Sequence, residues 1–541
     1  MKYFRPLILI ITITLSAFVA YGLFSLPRAV EVEKEGHFSS ARAVETIENI
    51  SGEHHSIIHP EARAEVREYL VSRLEEMGAQ VRSFTYPDVE GKGYRFDAEN
   101  IVAEFPPLKQ SRDTTWLLMV AHYDSRYPWV PVRDTTCSYG AADDGYGLAV
   151  VLESARVALE RRDAWSQGLR ILFTDGEEVG MVGMKCAYGQ DRELFGDVGL
   201  VINVEGRGPF GPALLFETSG GNRELMALYA ANARYPYTFS LTNVVYSLMP
   251  NFTDFTVVKD DIPGMNFSTI ADVNHYHTSL DNFDFVRPAT VQHYGEQVVP
   301  VVNAYLADPK YSSRDALRSG EDRVFFTIPL IGLLNFSKPW YLVVNIAIFL
   351  LVILLFVLNR RNLKGVWKYS LEALGLALGA LVIGELAAYL GCLASGANFK
   401  LFGIVTGMGF DNILMIVMSV LLASGLGLLY WKKGQTGKRL FGTLALLCVL
   451  SIATLAALGE NMLFLIPLFA GTLSIFLWQL SSFKPFLLLG IAFLCLHSFS
   501  FLYALAMALT VGAFGAVLFI ATLDLLVIEG LCDCYTMRSK D

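Results

Sequence analysis

The chain has 541 residues, of which 53% are hydrophobic and 18% charged, with a mean hydropathy of +0.41. These values exclude a disordered chain and a wholly soluble protein of ordinary composition. The net charge of −9 excludes the basic face of a nucleic-acid-binding protein, so no nucleic-acid partner is expected.

The average conceals two parts. Residues 1–339 carry 31 Lys+Arg and 44 Asp+Glu, whereas residues 340–541 carry 12 and 8. The first element, Pro6 to Phe24, is a continuous apolar run preceded by Lys2 and Arg5. Its 19 residues and the lack of a small-x-small cleavage site before Arg28 favour a signal anchor over residues 1–27, rather than a cleaved peptide. Seven cysteines are few for this length and imply no disulfide framework; Cys137 and Cys186 are equally readable as a pair or as two separate thiols.

From 38 to 310 the pattern alternates helix and strand. Glu61 to Met77 is an amphipathic helix stopped by Gly78. Apolar runs at Asn100–Phe105, Trp116–Ala121, Leu169–Thr174, Val198–Val204 and Ala213–Phe216 read as strands, with helices at about 146–162, 222–233 and 288–307. This predicts an α/β sandwich with a mostly parallel sheet, whose ligands bind at the strand carboxyl ends. Residues 311–339 read as a linker, with Val324–Leu334 an apolar stretch too short to span and so an interfacial or packing segment. Spans follow at about 340–358, 370–394, 412–430, 440–458, 462–480, 485–502 and 505–528, within a membrane domain over 340–530 and before a tail at 531–541. With the N-terminus inside, 13 Lys and Arg fall in the cytoplasmic segments and only Lys400 in the short outer loops. The acidic domain is therefore expected on the non-cytoplasmic side, with membrane lipid around the spans.

Polar clusters sit where the strands end. His122-Tyr123-Asp124 follows the second run, and alternation sends His122 and Asp124 the same way, as a metal ligand and a carboxylate beside it. Gly140-Ala141-Ala142-Asp143-Asp144-Gly145 surrounds paired acids with glycine. Glu177-Glu178 closes the third run, Glu205 closes the fourth, and His275-Tyr276-His277 precedes the last helix. Adjacent glutamates can divide the work of metal ligation and proton transfer. Gly206-Arg207-Gly208-Pro209-Phe210-Gly211 matches G-x-G-x-x-G, but Pro209 and the apolar run after it predict a turn and not a dinucleotide loop. Neither G-x-S-x-G nor H-E-x-x-H occurs.

In this order and spacing the clusters resemble the co-catalytic two-zinc peptidases of the bacterial leucyl aminopeptidase and glutamate carboxypeptidase type, over about residues 40–307. The resemblance implies a three-layer α/β sandwich with a mixed, mostly parallel central sheet, two Zn2+ ions and a peptide or protein substrate. It implies His122 as a terminal ligand of the first zinc with Asp124 supporting it, and Asp143 as the bridging carboxylate with a cis bond to Asp144. It further implies Glu177 as general base, Glu178 and His277 as ligands of the second zinc, Glu205 as the first-zinc carboxylate, and Tyr276 as a phenol that stabilises the oxyanion. Many relatives have Asp where Glu205 stands, and the longer arm leaves that ion's geometry open. The α-helical multi-span tail is similar to that of the endoplasmic-reticulum and vacuolar membrane members.

The expected function is a membrane-anchored zinc exopeptidase, an aminopeptidase first. The alternatives are a glutaminyl cyclase-like acyltransferase and a non-catalytic ectodomain. A transport role resting on Glu385, His497 and Asp524 is weaker than helix packing, to which Gly375-x-x-x-Gly379 is also assigned. Arg207 reads either as a binder of a substrate carboxylate or as half of a structural ion pair.

Overall fold

Seven strands, the central ones short apolar runs, pair into one sheet. They are β1 (Gln80–Gly91), β2 (Tyr94–Phe105), β3 (Trp116–His122), β4 (Gly168–Thr174), β5 (Val198–Gly206), β6 (Phe210–Thr218) and β7 (Gly264–Ala271), in the order β1-β2-β4-β3-β5-β7-β6. The four central strands β4, β3, β5 and β7 are parallel, while β2 and β6 run against them. The register sets His122 beside Thr174, Asn203 beside Asn266 and Glu205 beside Ser268, so the parallel strands end level. In β3, Leu117, Met119 and Ala121 enter one apolar core while Leu118 and Val120 enter the other. That is the two-residue alternation of a strand covered on both faces.

This is a computed structural model, and it describes residues 4–22, 26–30, 34–109, 114–127, 137–247, 251–360, 363–403, 405, 408 and 436–536. Helices are α1 (Phe4–Gly22), α2 (Ser40–Ile50), α3 (Pro60–Glu76), α4 (Gly145–Leu159), α5 (Val182–Gln190), α6 (Arg223–Asn232), α7 (Ser240–Ser247), α8 (Asp254–Val258) and α9 (Pro288–Ala307). α2, α4 and α9 pack together on one face of the sheet, and α5 and α8 lie on the other, giving the three layers. Ser39 caps α2 by accepting from the Arg42 amide, and Asp144 caps α4. Each fully buried Leu, Val or Phe in these layers contributes about 1.5–3 kcal/mol.

The chain divides into two units, Leu26–Thr327 with Gly332–Lys338, and Met1–Ser25 with Ile328–Ile331 and Pro339–Asp541. Residues 311–339, expected as a linker with an interfacial or packing segment, hold a hairpin of β8 (Arg323–Ile328) and β9 (Gly332–Ser337). Val324, Phe325 and Phe326 are buried, and Phe326 bridges to Phe239 in the sheet-bearing unit. An eleven-residue apolar run is ambiguous between interface and strand pair, and here the free backbone groups pair with each other.

The second unit carries α10 (Lys338–Leu358), α11 (Val366–Ser395), α12 (Thr436–Leu458), α13 (Met462–Ser481), α14 (Pro485–Leu509) and α15 (Phe514–Thr536). Among the described residues, six helices are long and apolar enough to cross a membrane. The span expected at 412–430 lies outside the described residues. The break between the last two spans falls at Thr510 (φ 56°), later than the sequence suggests. Glu385 accepts the Gly515 amide (3.1 Å) and Asp524 accepts the Ser498 hydroxyl (2.7 Å), so both acids serve interhelical hydrogen bonds. Gly375 and Gly379 do not make the expected contact: a Cβ on either meets nothing within 4 Å among the described residues. The close approach is one turn or more further on, where a Cβ on Gly384 would stand 2.8 Å from the Gly515 Cα.

Candidate metal centre

The level strand ends and three loops converge on a cluster of acids and imidazoles. His122 is the last residue of β3, and its amide donates to Asp144 Oδ2 (3.2 Å). Asp144 also accepts from the Gly147 amide (3.0 Å), so one carboxylate ties the strand end to the first turn of α4. The Asp143–Asp144 peptide is cis, in line with the resemblance. Glycine is needed around it: a Cβ on Gly147 would collide with the Asp144 carboxylate and the Val204 carbonyl, and one on Gly206 with the Ala142 carbonyl.

Two triads share Asp143. His122 Nε2 lies 3.2 Å from Asp143 Oδ1 and 3.6 Å from Glu205 Oε2. On the other side, His277 Nε2 lies 3.2 Å from both Asp143 Oδ2 and Glu178 Oε1. Within His122–Asp143–Glu205 and within Asp143–Glu178–His277, one ligand atom per residue lies within 4.8 Å of the others. Asp143 thus offers one oxygen to each group, the placement expected of a bridge.

The supporting contacts leave the ligand atoms facing inward. Asp124 stands beside the His122 ring, 3.5 Å from Nδ1, while its two oxygens accept the Glu177 (2.9 Å) and Glu178 (3.2 Å) amides. One side chain therefore sets both the β3 imidazole and the β4 loop. Asn203, two residues before Glu205 on β5, donates to Glu205 Oε1 (2.9 Å) and leaves Oε2 to the first triad. Arg126 holds Glu178 through its carbonyl (2.8 Å) and Oε2 (2.9 Å). Asp281 accepts the Ala142 (2.7 Å) and Asp143 (3.3 Å) amides and the Ser138 hydroxyl (2.7 Å). Tyr276 stacks on His277, with ring centroids 3.6 Å apart. Glu177 belongs to neither triad, so its carboxylate is free of the duty of ligation.

The electrostatics fit a cation. Burial, then the neighbouring Glu205, raises Asp144 well above the carboxylate range, and burial pushes Glu205 to about 8. Burial raises Glu177 too, with Glu205, Glu178 and Asp254 adding to it against His122. Burial would lower His122, but its bonds to Asp124 and Asp143 outweigh that and raise it well above 6.5. Burial would likewise raise Glu178, yet His277 and Arg126 hold it well below 4.5. The protein alone balances these acids with shared protons, which a metal would displace. Asp143 Oδ2 and Glu178 Oε1 are buried and share one imidazole nitrogen, His277 Nε2, 3.2 Å from each, and a metal would serve all three atoms. Imidazole and carboxylate donors suit zinc.

All the residues expected from sequence around the metals, His122, Asp124, Asp143, Glu178, Glu205 and His277, come together, with Glu177 and Tyr276 beside them. His275 does not join: it pairs with Asp272 (3.2 Å) and packs on Phe285. Cys137 and Cys186 are free thiols, and Cys137 donates to the Arg126 carbonyl. Gly206 to Gly211 is the turn from β5 into β6, with no helix behind it. The sequence reading missed Asn203, Arg126 and Asp281. Strand alternation from Glu205 would have found Asn203, whereas Arg126 and Asp281 sit in loops with no distinguishing signal.

Residues 100–302 match the model of Peptidase family M28, and this part of the chain is a peptidase M28 domain. It is 26% identical to the mouse endoplasmic reticulum metallopeptidase 1 over 46% of this chain and 26% of that protein. The chain spans between 26% and 44% of the length of the first curated relatives it matches. Among solved structures, Porphyromonas gingivalis glutaminyl cyclase is 20% identical, covering 50% of this chain and 99% of its own, with a TM-score of 0.39. A Zn-dependent exopeptidase from Parabacteroides distasonis is 19% identical, covering 49% and 98%, with a TM-score of 0.38.

Proposed function

We propose that the sheet-bearing unit is a two-zinc aminopeptidase held on the non-cytoplasmic side of a membrane by the helices at either end. The observation that carries this reading is the pair of ligand triads sharing Asp143, with an uncommitted glutamate, Glu177, next to them in the chain. His122, Asp143 and Glu205 would hold one zinc, and Asp143, Glu178 and His277 the other. When bound, zinc acidifies a water and polarises the scissile carbonyl.

The chain's own residues do the rest. Asp124 fixes the backbone of Glu177 through its amide (2.9 Å), so the side chain is set beside the attacking position. Glu177 accepts the proton of the attacking water and passes it to the departing amine nitrogen, which needs no covalent acyl-enzyme. Tyr276, fixed against His277, donates its hydroxyl hydrogen to the oxyanion as it develops. Glu177 crowds against the ligand carboxylates Glu205 and Glu178, and such a cluster favours a substrate's protonated amine. The 13 basic residues on the inner side of the spans support the membrane orientation.

The test uses the purified full chain, loaded with zinc, on free-amine and N-acetylated peptides. Free-amine peptides are expected to be cleaved and acetylated ones spared. Glu177→Gln is expected to lose about 10²–10⁴-fold in kcat while keeping its zinc. Equal turnover by wild type and Glu177→Gln defeats the mechanism, and cleavage of acetylated peptides alone defeats the aminopeptidase reading.

A further inference from the structure

Arg207 stands two residues beyond the first-triad ligand Glu205, in the turn between β5 and β6. Its backbone is pinned on both sides: a Cβ on Gly206 would strike the Ala142 carbonyl, and one on Gly208 the Ala271 carbonyl. The guanidinium lies over the Tyr276 ring, 5.8 Å from its centroid, and Tyr276 itself stacks on the ligand His277. Arg207 also lies within electrostatic reach of Tyr246, on α7, and of Asp143.

An arginine among so many acids should be paired. It is not: Arg207 makes no ion pair or hydrogen bond with any described residue, and its Nη2 is buried without a partner. Asp143, the carboxylate nearest in effect, already has its two oxygens 3.2 Å from His122 and His277. Two further cations at the site are engaged by Glu178: Arg126 pairs with its Oε2 (2.9 Å) and Lys92 donates to its carbonyl (3.0 Å). A planar guanidinium matches a carboxylate with two parallel N–H bonds, and Arg207, half-buried with its Nη2 out of water, has such a bond still to make. No described residue supplies that acceptor, and a ligand's carboxylate would.

We propose that Arg207 receives the free C-terminal α-carboxylate of the substrate, which makes short peptides, and dipeptides above all, the preferred substrate class. The assignment rests on the peptidase reading above and deepens it. The surplus carboxylates around Glu177 take the amino end of the peptide, and Arg207 takes the other end. Between them a short chain is measured by its two charges, and a long or amidated one forfeits the second contact. The structural ion pair that the sequence left open is ruled out among the described residues.

The test compares alanyl-alanine, alanyl-alanine amide and alanyl-glutamate amide on the zinc-loaded full chain. Wild type is expected to favour the free acid over its amide by about ten- to a hundredfold in kcat/KM, mostly through KM, as for one charged hydrogen-bonded contact. Arg207→Met should bring that ratio to within about twofold, Arg207→Lys should fall between, and Arg234→Met, a guanidinium paired with Glu296 elsewhere, should keep it. Calorimetric titration of the Glu177→Gln protein with the acid and the amide reads the same difference without turnover. Equal use of acid and amide by wild type overturns the proposal, as does a preference that survives in Arg207→Met. So does a kcat loss equal for both substrates, which would put Arg207 on the reacting carbonyl, or a preference for alanyl-glutamate amide over alanyl-alanine. If wild type cleaves no peptide at all, the peptidase reading fails, and the calorimetry still decides the carboxylate site.

Discussion

Asn203→Leu isolates how the long arm of Glu205 is made to serve as a metal ligand. Asn203 Nδ2 donates to Glu205 Oε1 (2.9 Å) and to Asn266 Oδ1 (2.9 Å). Asn266 Nδ2 in turn donates to Glu217 Oε2 (3.0 Å) and Thr253 Oγ1 (2.9 Å), and Lys259 reaches Glu217 Oε1 (2.6 Å). The ligand is thus the end of a buried amide chain anchored by a half-exposed lysine. Leucine keeps the volume and removes both donations. A lost bond to a charged group costs about 1.5–3 kcal/mol, and the stranded Asn266 oxygen about 1–3 kcal/mol more. For the metal, removal of such an outer partner weakens binding by about ten- to a hundredfold. Titration of the zinc-free full chain with zinc, followed by calorimetry, should show one of two binding steps weakened by that factor. The step that depends on Asp143, Glu178 and His277 should be preserved. Two unchanged steps, with an unchanged unfolding temperature, would refute the idea that Asn203 sets Glu205.

Two further outcomes follow from the same contacts. Chelation of zinc should lower the unfolding temperature of the sheet-bearing unit by roughly 5–10 °C, since a ligand at a hundred times its Kd contributes about 2.7 kcal/mol; calorimetric scans with and without chelator read it, and no shift would mean the triads hold no ion. His293, remote from the centre, is buried, and burial pushes it down to about 4. Its Nδ1 must stay bare to accept the Ala213 amide (3.0 Å). The unfolded imidazole titrates near 6.5, so between about 6.5 and 4 the unfolded state holds a proton that the folded state refuses. That contribution is complete above 6.5 and is lost as pH falls, to about 3 kcal/mol near pH 4. His293→Gln should flatten the pH dependence of denaturant unfolding in that window, and identical slopes in both proteins would disprove the assignment.

How much of this the residues disclosed depends on where the chemistry sits on the chain. Ligands at the ends of buried strands are readable because each follows an apolar run, as with His122, and because glycine stands close by, as with Glu178 and Glu205. The pattern does not display β1, β7, β8 and β9, and β7 hides because Asn266, Ser268 and Thr269 interrupt its buried run. β1, with Pro87, several charges and a register shift between Tyr86 and Val89, is an edge strand half in water, and nothing in its composition demands a sheet. β8 and β9 fall in a stretch that reads as an interfacial or packing segment, because eleven apolar residues satisfy that as well as a hairpin, and only their pairing decides. Asp281 marks the deeper limit, an unremarkable letter in a polar loop whose meaning lies in what it touches, while Arg207 is legible as a candidate with two readings between which only its surroundings choose. Asp281 is explained by the Ala142 and Asp143 amides it collects (2.7 and 3.3 Å). Arg207 is explained by the acceptor it lacks. A sequence displays the groups that make a site, whereas the balance among them, in which one charge is left over, exists only once the strands have brought them level. Because burial charges most for an unpaired ion, that leftover charge is where the fold points beyond its own residues to what it binds.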